Sequence, residues 1–217
     1  MLDKSRPIPL YYQVKESLLE KIKSRQELVQ EGHLYTKQGR GTFVSRPKVS
    51  QELNLITSWA ETMEEMGMHP ETKKIEYSEE PAPVDIARLL NIPIGDRVYK
   101  IERLRYADGE PTCIMTNYLS PDVVPGFLEK GIKGESLYET LEKHYNIVLS
   151  RAEETVEAKA AKTSEAELLN IKRGAPLLHA TRVTYDITDR PVEVVISISR
   201  ADRYSYRIKL SGRKKAI

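Results

Sequence analysis

Two arginines, Arg103 and Arg105, stand two positions apart in the run RVYKIERLRYA at 97–107. In an extended strand that spacing turns both guanidinium groups to one face, shared with Tyr99 and Ile101. The other face carries Val98, Leu104 and Tyr106 together with Lys100 and Glu102. Neither face is cleanly apolar, so the pattern leaves two readings open. The arginines sit on a wet surface, or they form a planar, permanently charged clamp for a phosphate or carboxylate. Two helix starts add candidates. Ser58 is followed three residues on by Glu61, a capping-box signature. Ser136 and Tyr138, in ESLYETLE, open a second helix; Ser136 reads as a cap or a polar contact, Tyr138 as a core ring or a contact. Capping and anion binding are compatible, because a helix N-terminus presents N–H groups.

A different chemistry is suggested near the start of the chain. Gly39-Arg40-Gly41 places one cation between two glycines where a hairpin tip is expected. The tip is a plain solvated turn, or it is shaped for insertion into a narrow groove. Metal and covalent chemistry have little support. The four histidines (His33, His69, His144, His179) are scattered without ligand spacing, and Cys113, the single cysteine, has no local partner motif. No cofactor, no metal site and no catalytic set are expected. One cysteine also excludes an intrachain disulfide and fits a reducing compartment. A net charge of +2 is too small to argue for nucleic acid by itself, so any basic surface must be local. No apolar run approaches membrane-spanning length, and no signal-peptide core is present, so a cytoplasmic protein without a membrane partner is expected.

The elements that position these residues follow from periodicity. Leu10, Val14, Leu18 and Ile22 form one stripe of a helix over about 10–23, with Pro9 near its first turn. A short helical end follows at 27–31, and Gly32 is placed for a left-handed cap. Residues 33–37 read as extended and Thr42–Val44 as a strand. RPKVSQE, 46–52, reads as a linker. From Leu53 to Ile217 the chain contains an internal repeat: Leu89-Leu90-Asn91-Ile92 recurs 79 positions later as Leu168-Leu169-Asn170-Ile171, and Gly95/Gly174 and Arg103/Arg182 keep that offset. Pro111 and Pro191 are offset by 80, a one-residue difference placed in the turn. Each unit reads as a short helix, a turn and a long hairpin, tipped by Asp108-Gly109 and Thr188-Asp189. Residues 150–161 and 203–210 alternate and supply further strands. The expected class is α+β, one mostly antiparallel sheet with helices on one side.

The stretches PLYYQV and ELVQEGHLYTKQGRGTFVS resemble the winged helix-turn-helix of GntR-family bacterial transcription regulators. The wing residues Gly39, Arg40, Gly41, Thr42 and Phe43 all fit. Between Ser24 and Arg25, however, one expects the second helix, the turn and the base-reading part of the third, about thirty residues in a domain of this type. The winged-helix domain over 1–45 is therefore incomplete. RLRYADGEP, GESLYETLE and RPVEVVISISRADRYSY resemble the UTRA effector-binding domain of the HutC branch, which is similar in fold to chorismate lyase; that resemblance covers about residues 53–211 of a domain expected over 53–217.

The resemblance implies a ligand-responsive regulator, not an enzyme, that binds operator DNA as a homodimer and is released by a small anionic metabolite such as a phosphorylated sugar. It implies that Ser58, Arg103, Arg105, Ser136 and Tyr138 cradle the effector's anion, and that Arg40, with Gly39 and Gly41, contacts DNA. Glu193 stands at a matching position, where it reads either as an acceptor for hydroxyls or an amine, or as a surface strand carboxylate. Met115 and Ser199 replace a carboxylate and a tyrosine common in sugar-phosphate binders, which implies a larger or less polar organic portion. The alternatives are a chorismate-lyase-like enzyme and a ligand-binding or dimerisation module without DNA binding.

Overall fold

The computed structural model describes residues 34–44, 48–134 and 136–212, together with the isolated helical positions Leu18 and Val29. The chain divides into two units, Met1–Pro47 and Lys48–Ile217. In the first, the helices expected over 10–23 and 27–31 and the cap at Gly32 lie outside the described residues, apart from Leu18 and Val29. The wing is described. Strands β1 (Leu34–Lys37) and β2 (Gly41–Val44) pair antiparallel from Leu34↔Val44 to Lys37↔Gly41. Gly39 and Gly41 have φ of +74° and +109°, conformations that cost a side-chain-bearing residue strain. They hold Arg40 exposed at the turn.

Val49–Glu52, within the expected linker, form strand β3, which pairs in parallel with β10 (Tyr204–Arg207). Its alternation is only four residues long, too short to stand out from the mixed charge around it. Val49 and Gln51 are buried while Glu52 is exposed. Helix α1 (Trp59–Glu65) follows with the expected cap: Glu61 N donates to Ser58 Oγ, and Ser58 N donates to Glu61 Oε2.

The main sheet has six strands. They are β4 (Pro70–Pro81), β5 (Arg97–Ala107), β6 (Glu110–Leu119), β7 (Leu149–Ala160), β8 (Pro176–Asp186) and β9 (Pro191–Arg200), in the antiparallel order β4-β5-β6-β9-β8-β7. That order reads the same from both edges, as two copies of one motif joined at β6 and β9 require. The repeated helices are α2 (Val84–Leu89) and α5 (Thr163–Leu168); between them come α3 (Phe127–Lys130) and α4 (Leu137–Tyr145). After α2 and α5 the chain turns through Asn91 and Asn170, with φ of 54° and 50°, the left-handed geometry that asparagine tolerates better than most residues. The duplication extends to irregularities: register slips between Arg105 and Tyr106 in one hairpin and between Thr184 and Tyr185 in the other.

Helices cover both faces of the sheet, not one as expected. Phe127, Leu137 and Leu141 pack on Tyr99 and Ile101, while Trp59 and Met63 pack on Cys113 and Met115. On the opposite face Ile86 and Ala87 pack on Val98 and Val194, and Ala166 packs with Leu104 and Ile198. The apolar positions of β5 are split between its faces, so each face needs a cover. Among the described residues no helix is long and apolar enough to cross a membrane.

Candidate effector site

Arg103 and Arg105 point from β5 into a cavity of about 40 Å3, under the N-terminal end of α1. Both are buried, 5% and 1% exposed. Arg103 Nη2 donates to Asn117 Oδ1 at 2.9 Å and lies 3.3 Å from Met115 Sδ. Arg105 Nη1 donates to Thr72 Oγ1, and its guanidinium stacks 4.3 Å from the centre of the Trp59 ring. Strand alternation places both on one face, as their spacing requires, and this is the face roofed by α1. The wet-surface reading is therefore excluded by burial.

From Arg103 a chain of hydrogen bonds crosses the cavity wall. Asn117 Nδ2 donates to Glu193 Oε1, Thr184 Oγ1 donates to Glu193 Oε2 at 3.3 Å, and the hydroxyls of Thr184 and Tyr138 meet at 3.0 Å. Glu193 is 1% exposed, not a surface carboxylate, and burial pushes its carboxyl above the usual range despite the donors around it. Burial, reinforced by the Glu193 charge, also raises the Tyr138 phenol, which stays protonated and is no general base. The Cys113 thiol is likewise pushed up by burial. Such a thiol is a poor nucleophile.

Five of the six anticipated effector residues line the cavity: Ser58, Arg103, Arg105, Tyr138 and Glu193. Ser136 is not in its lining. Its Oγ accepts from Glu139 N at 3.1 Å, so it caps α4, whose first residues Leu137 and Tyr138 reach the cavity. Met115 and Ser199 do line it. Arg40 and its flanking glycines belong to the other unit.

Sequence reasoning missed several lining groups. Arg182 donates through Nε and Nη2 to Glu154 Oε2, at 3.1 and 2.8 Å, and through Nη1 to the Thr57 carbonyl at 3.0 Å. Its signal was present, since it is the repeat counterpart of Arg103. The two halves thus contribute matching arginines and then diverge. The β5–β6 pair Arg105↔Cys113 corresponds to the β8–β9 pair Thr184↔Glu193. One half supplies a second cation, the other a carboxyl. Gln51, Tyr204 and Tyr206 close the remaining side.

The described UTRA domain model matches residues 65–205. The HTH-type transcriptional repressor NagR of Bacillus subtilis (strain 168) is 33% identical over 234 aligned residues, covering 94% of this chain and 96% of that protein. Since 94% of 217 residues fills about 204 of those positions, about 30 of the aligned positions have no counterpart in this chain. A probable fructoselysine utilization operon transcriptional repressor of Escherichia coli (strain K12) is 28% identical over 86% of this chain and 76% of its own. Among solved structures, PhnF from Mycobacterium smegmatis superposes with a TM-score of 0.78 at 25% identity, over 98% of this chain and 96% of that one. The ligand-binding domain of a putative GntR-family regulator from Bordetella bronchiseptica gives 0.60 at 31% identity, over 66% and 90%. These relatives are regulators rather than enzymes, and the chain belongs to the UTRA-domain, HutC-type branch of the GntR family of ligand-responsive transcriptional regulators.

Proposed function

We propose that this protein is a homodimeric repressor released from operator DNA by a small anionic metabolite, a phosphorylated sugar or a close relative, held in the cavity beneath α1. The observation that carries the reading is the burial of Arg103 and Arg105 together in that cavity. Its lining carries three guanidinium groups and two carboxylates. Glu154 is taken up by Arg182, and burial drives Glu193 toward its neutral form. The balance is positive in a poorly solvated space, where a phosphate or carboxylate gains most. The ligand's hydroxyls then face Glu193, Asn117 and Tyr138, which can accept or donate. Met115 and Val195 supply the apolar part of the wall for the organic portion.

The N-terminal unit, 1–47, serves as the DNA-binding arm, and 48–217, β3 included, as the effector domain. Arg40, held out by Gly39 and Gly41, is suited to a minor groove or to phosphates. Calorimetry with glucose 6-phosphate on the intact chain and on Arg103→Ala and Arg105→Ala tests the effector site. Each lost charge-assisted hydrogen bond is worth roughly 1.5–3 kcal/mol, so each variant is expected to bind at least about tenfold more weakly. Equal affinity in all three would remove the arginines from the site.

A further inference from the structure

We propose that Gln51 is a ligand-sensing residue and that the ribbon β3–β10 is the output element that carries effector binding toward the DNA-binding unit. This rests on the effector-site reading above. Strand β3 is the first element of the second unit, starting at Val49, one residue after the unit itself begins at Lys48. It is also a wall of the cavity. Gln51, 5% exposed, lies in the lining, and its Oε1 accepts from Tyr204 Oη at 2.5 Å. Tyr204, 3% exposed, and Tyr206 line the same wall from β10. A glutamine amide offers a donor group and an acceptor. With the oxygen engaged by Tyr204, the nitrogen is left to meet an oxygen of a bound ligand.

The ribbon is built to respond. It is a separate two-stranded sheet of four-residue strands, where an isolated pair is marginal without packing. Its support comes from Val49 and Tyr204 in the cluster with Trp59 and Met63, and from a few flanking bonds, including Lys48 Nζ to the Ala201 carbonyl at 2.7 Å. A coupling element needs a contact that differs between the free and bound states. The Gln51 amide supplies such a contact: its nitrogen meets an oxygen only when ligand is bound, while its buried oxygen ties β3 to Tyr204 inside the cavity. A ligand that recruits the Gln51 amide shifts the strand that leads directly back to Lys48. Because that segment is a paired strand and not a slack linker, a displacement at Gln51 is passed along the backbone instead of being absorbed.

Hydrogen exchange followed by mass spectrometry on the full chain tests this, reading peptides that span 48–53 and 203–207. With glucose 6-phosphate at a concentration that calorimetry shows to be saturating, exchange in both strands is expected to slow at least about fivefold. Gln51→Ala should bind up to about tenfold more weakly and, even when saturated, lose most of that slowing. Tyr204→Phe removes the link without any ligand and should speed exchange of β3 in the free protein about fivefold, one ordinary hydrogen bond's worth. Unchanged β3 exchange at saturation, or a full response in Gln51→Ala, overturns the proposal. Failure of the sugar phosphate to bind would instead overturn the effector-site reading; the Tyr204→Phe arm would still decide whether the cavity wall holds β3.

Discussion

Arg182 and Arg103 occupy equivalent positions in the two halves of the sheet, yet their surroundings assign them different work. Arg182 is 9% exposed in its side chain and its partner Glu154 is 12%. The pair is therefore largely withdrawn from water, and removing one member leaves the other charge buried without compensation, at about 3–5 kcal/mol. The Thr57 carbonyl also loses its charged donor, which acts on the loop leading to Ser58. Arg182→Ala is thus expected to destabilise the effector domain by about 4 kcal/mol, a large share of the 5–15 kcal/mol typical of a domain. Replacing both partners, Arg182→Leu with Glu154→Leu, removes the stranded carboxylate and leaves the orphaned carbonyl, so that variant should lose only about 1–3 kcal/mol. Urea unfolding followed by circular dichroism measures both. Arg103→Ala should show its main loss in sugar phosphate affinity. A single substitution at Arg182 costing under about 1 kcal/mol, or a double variant as damaged as the single, would refute the assignment of Arg182 as a structural cation.

Three further outcomes are expected. Glu193 has its carboxyl raised by burial, so the folded state holds that proton more tightly than the unfolded chain; its contribution to stability is present at acid pH and lost as pH rises through the folded value. Glu193→Gln should therefore stabilise the protein at pH 7, with the gain vanishing toward pH 4, as thermal melts across that range will record. Cys113, buried with a raised thiol, should react with a disulfide reagent at least about a hundredfold more slowly in the native protein than in urea, as absorbance stopped-flow will measure. Light scattering at micromolar concentration should give a dimer mass; a monomer would remove the two-fold operator geometry from the proposed mechanism.

Much of this arrangement was legible in the residues. The 79-residue repeat foretold paired hairpins, down to the asparagines after α2 and α5, because those positions answer to local backbone geometry. Ser58–Glu61 and the two-residue spacing of Arg103 and Arg105 were equally local, and both hold. The remainder was hidden because it is assembled from distant parts. Arg182 meets Glu154 across neighbouring strands, and Asn117 meets Glu193 at a separation of 76 residues. Strand β4 was hidden for another reason. Most of its residues are exposed, since it is an edge of the sheet, so its charged sequence has no buried face to betray it. Helices on both faces were missed because Lys100 and Glu102 mask the second apolar face of β5.

The pairing of β3 with β10 also sets an order on assembly. Gln51 and Tyr204 are 153 residues apart, so the ribbon is among the most non-local contacts in the chain, and closing so long a loop comes late in folding. During synthesis the six-stranded sheet has all its strands before Tyr204 emerges, whereas β3, the first strand of the second unit, must wait for β10. The cavity therefore gains its final wall only after every strand of the six-stranded sheet has been made. A chain cut short before β10 would carry both arginines and still offer a ligand an open-sided site.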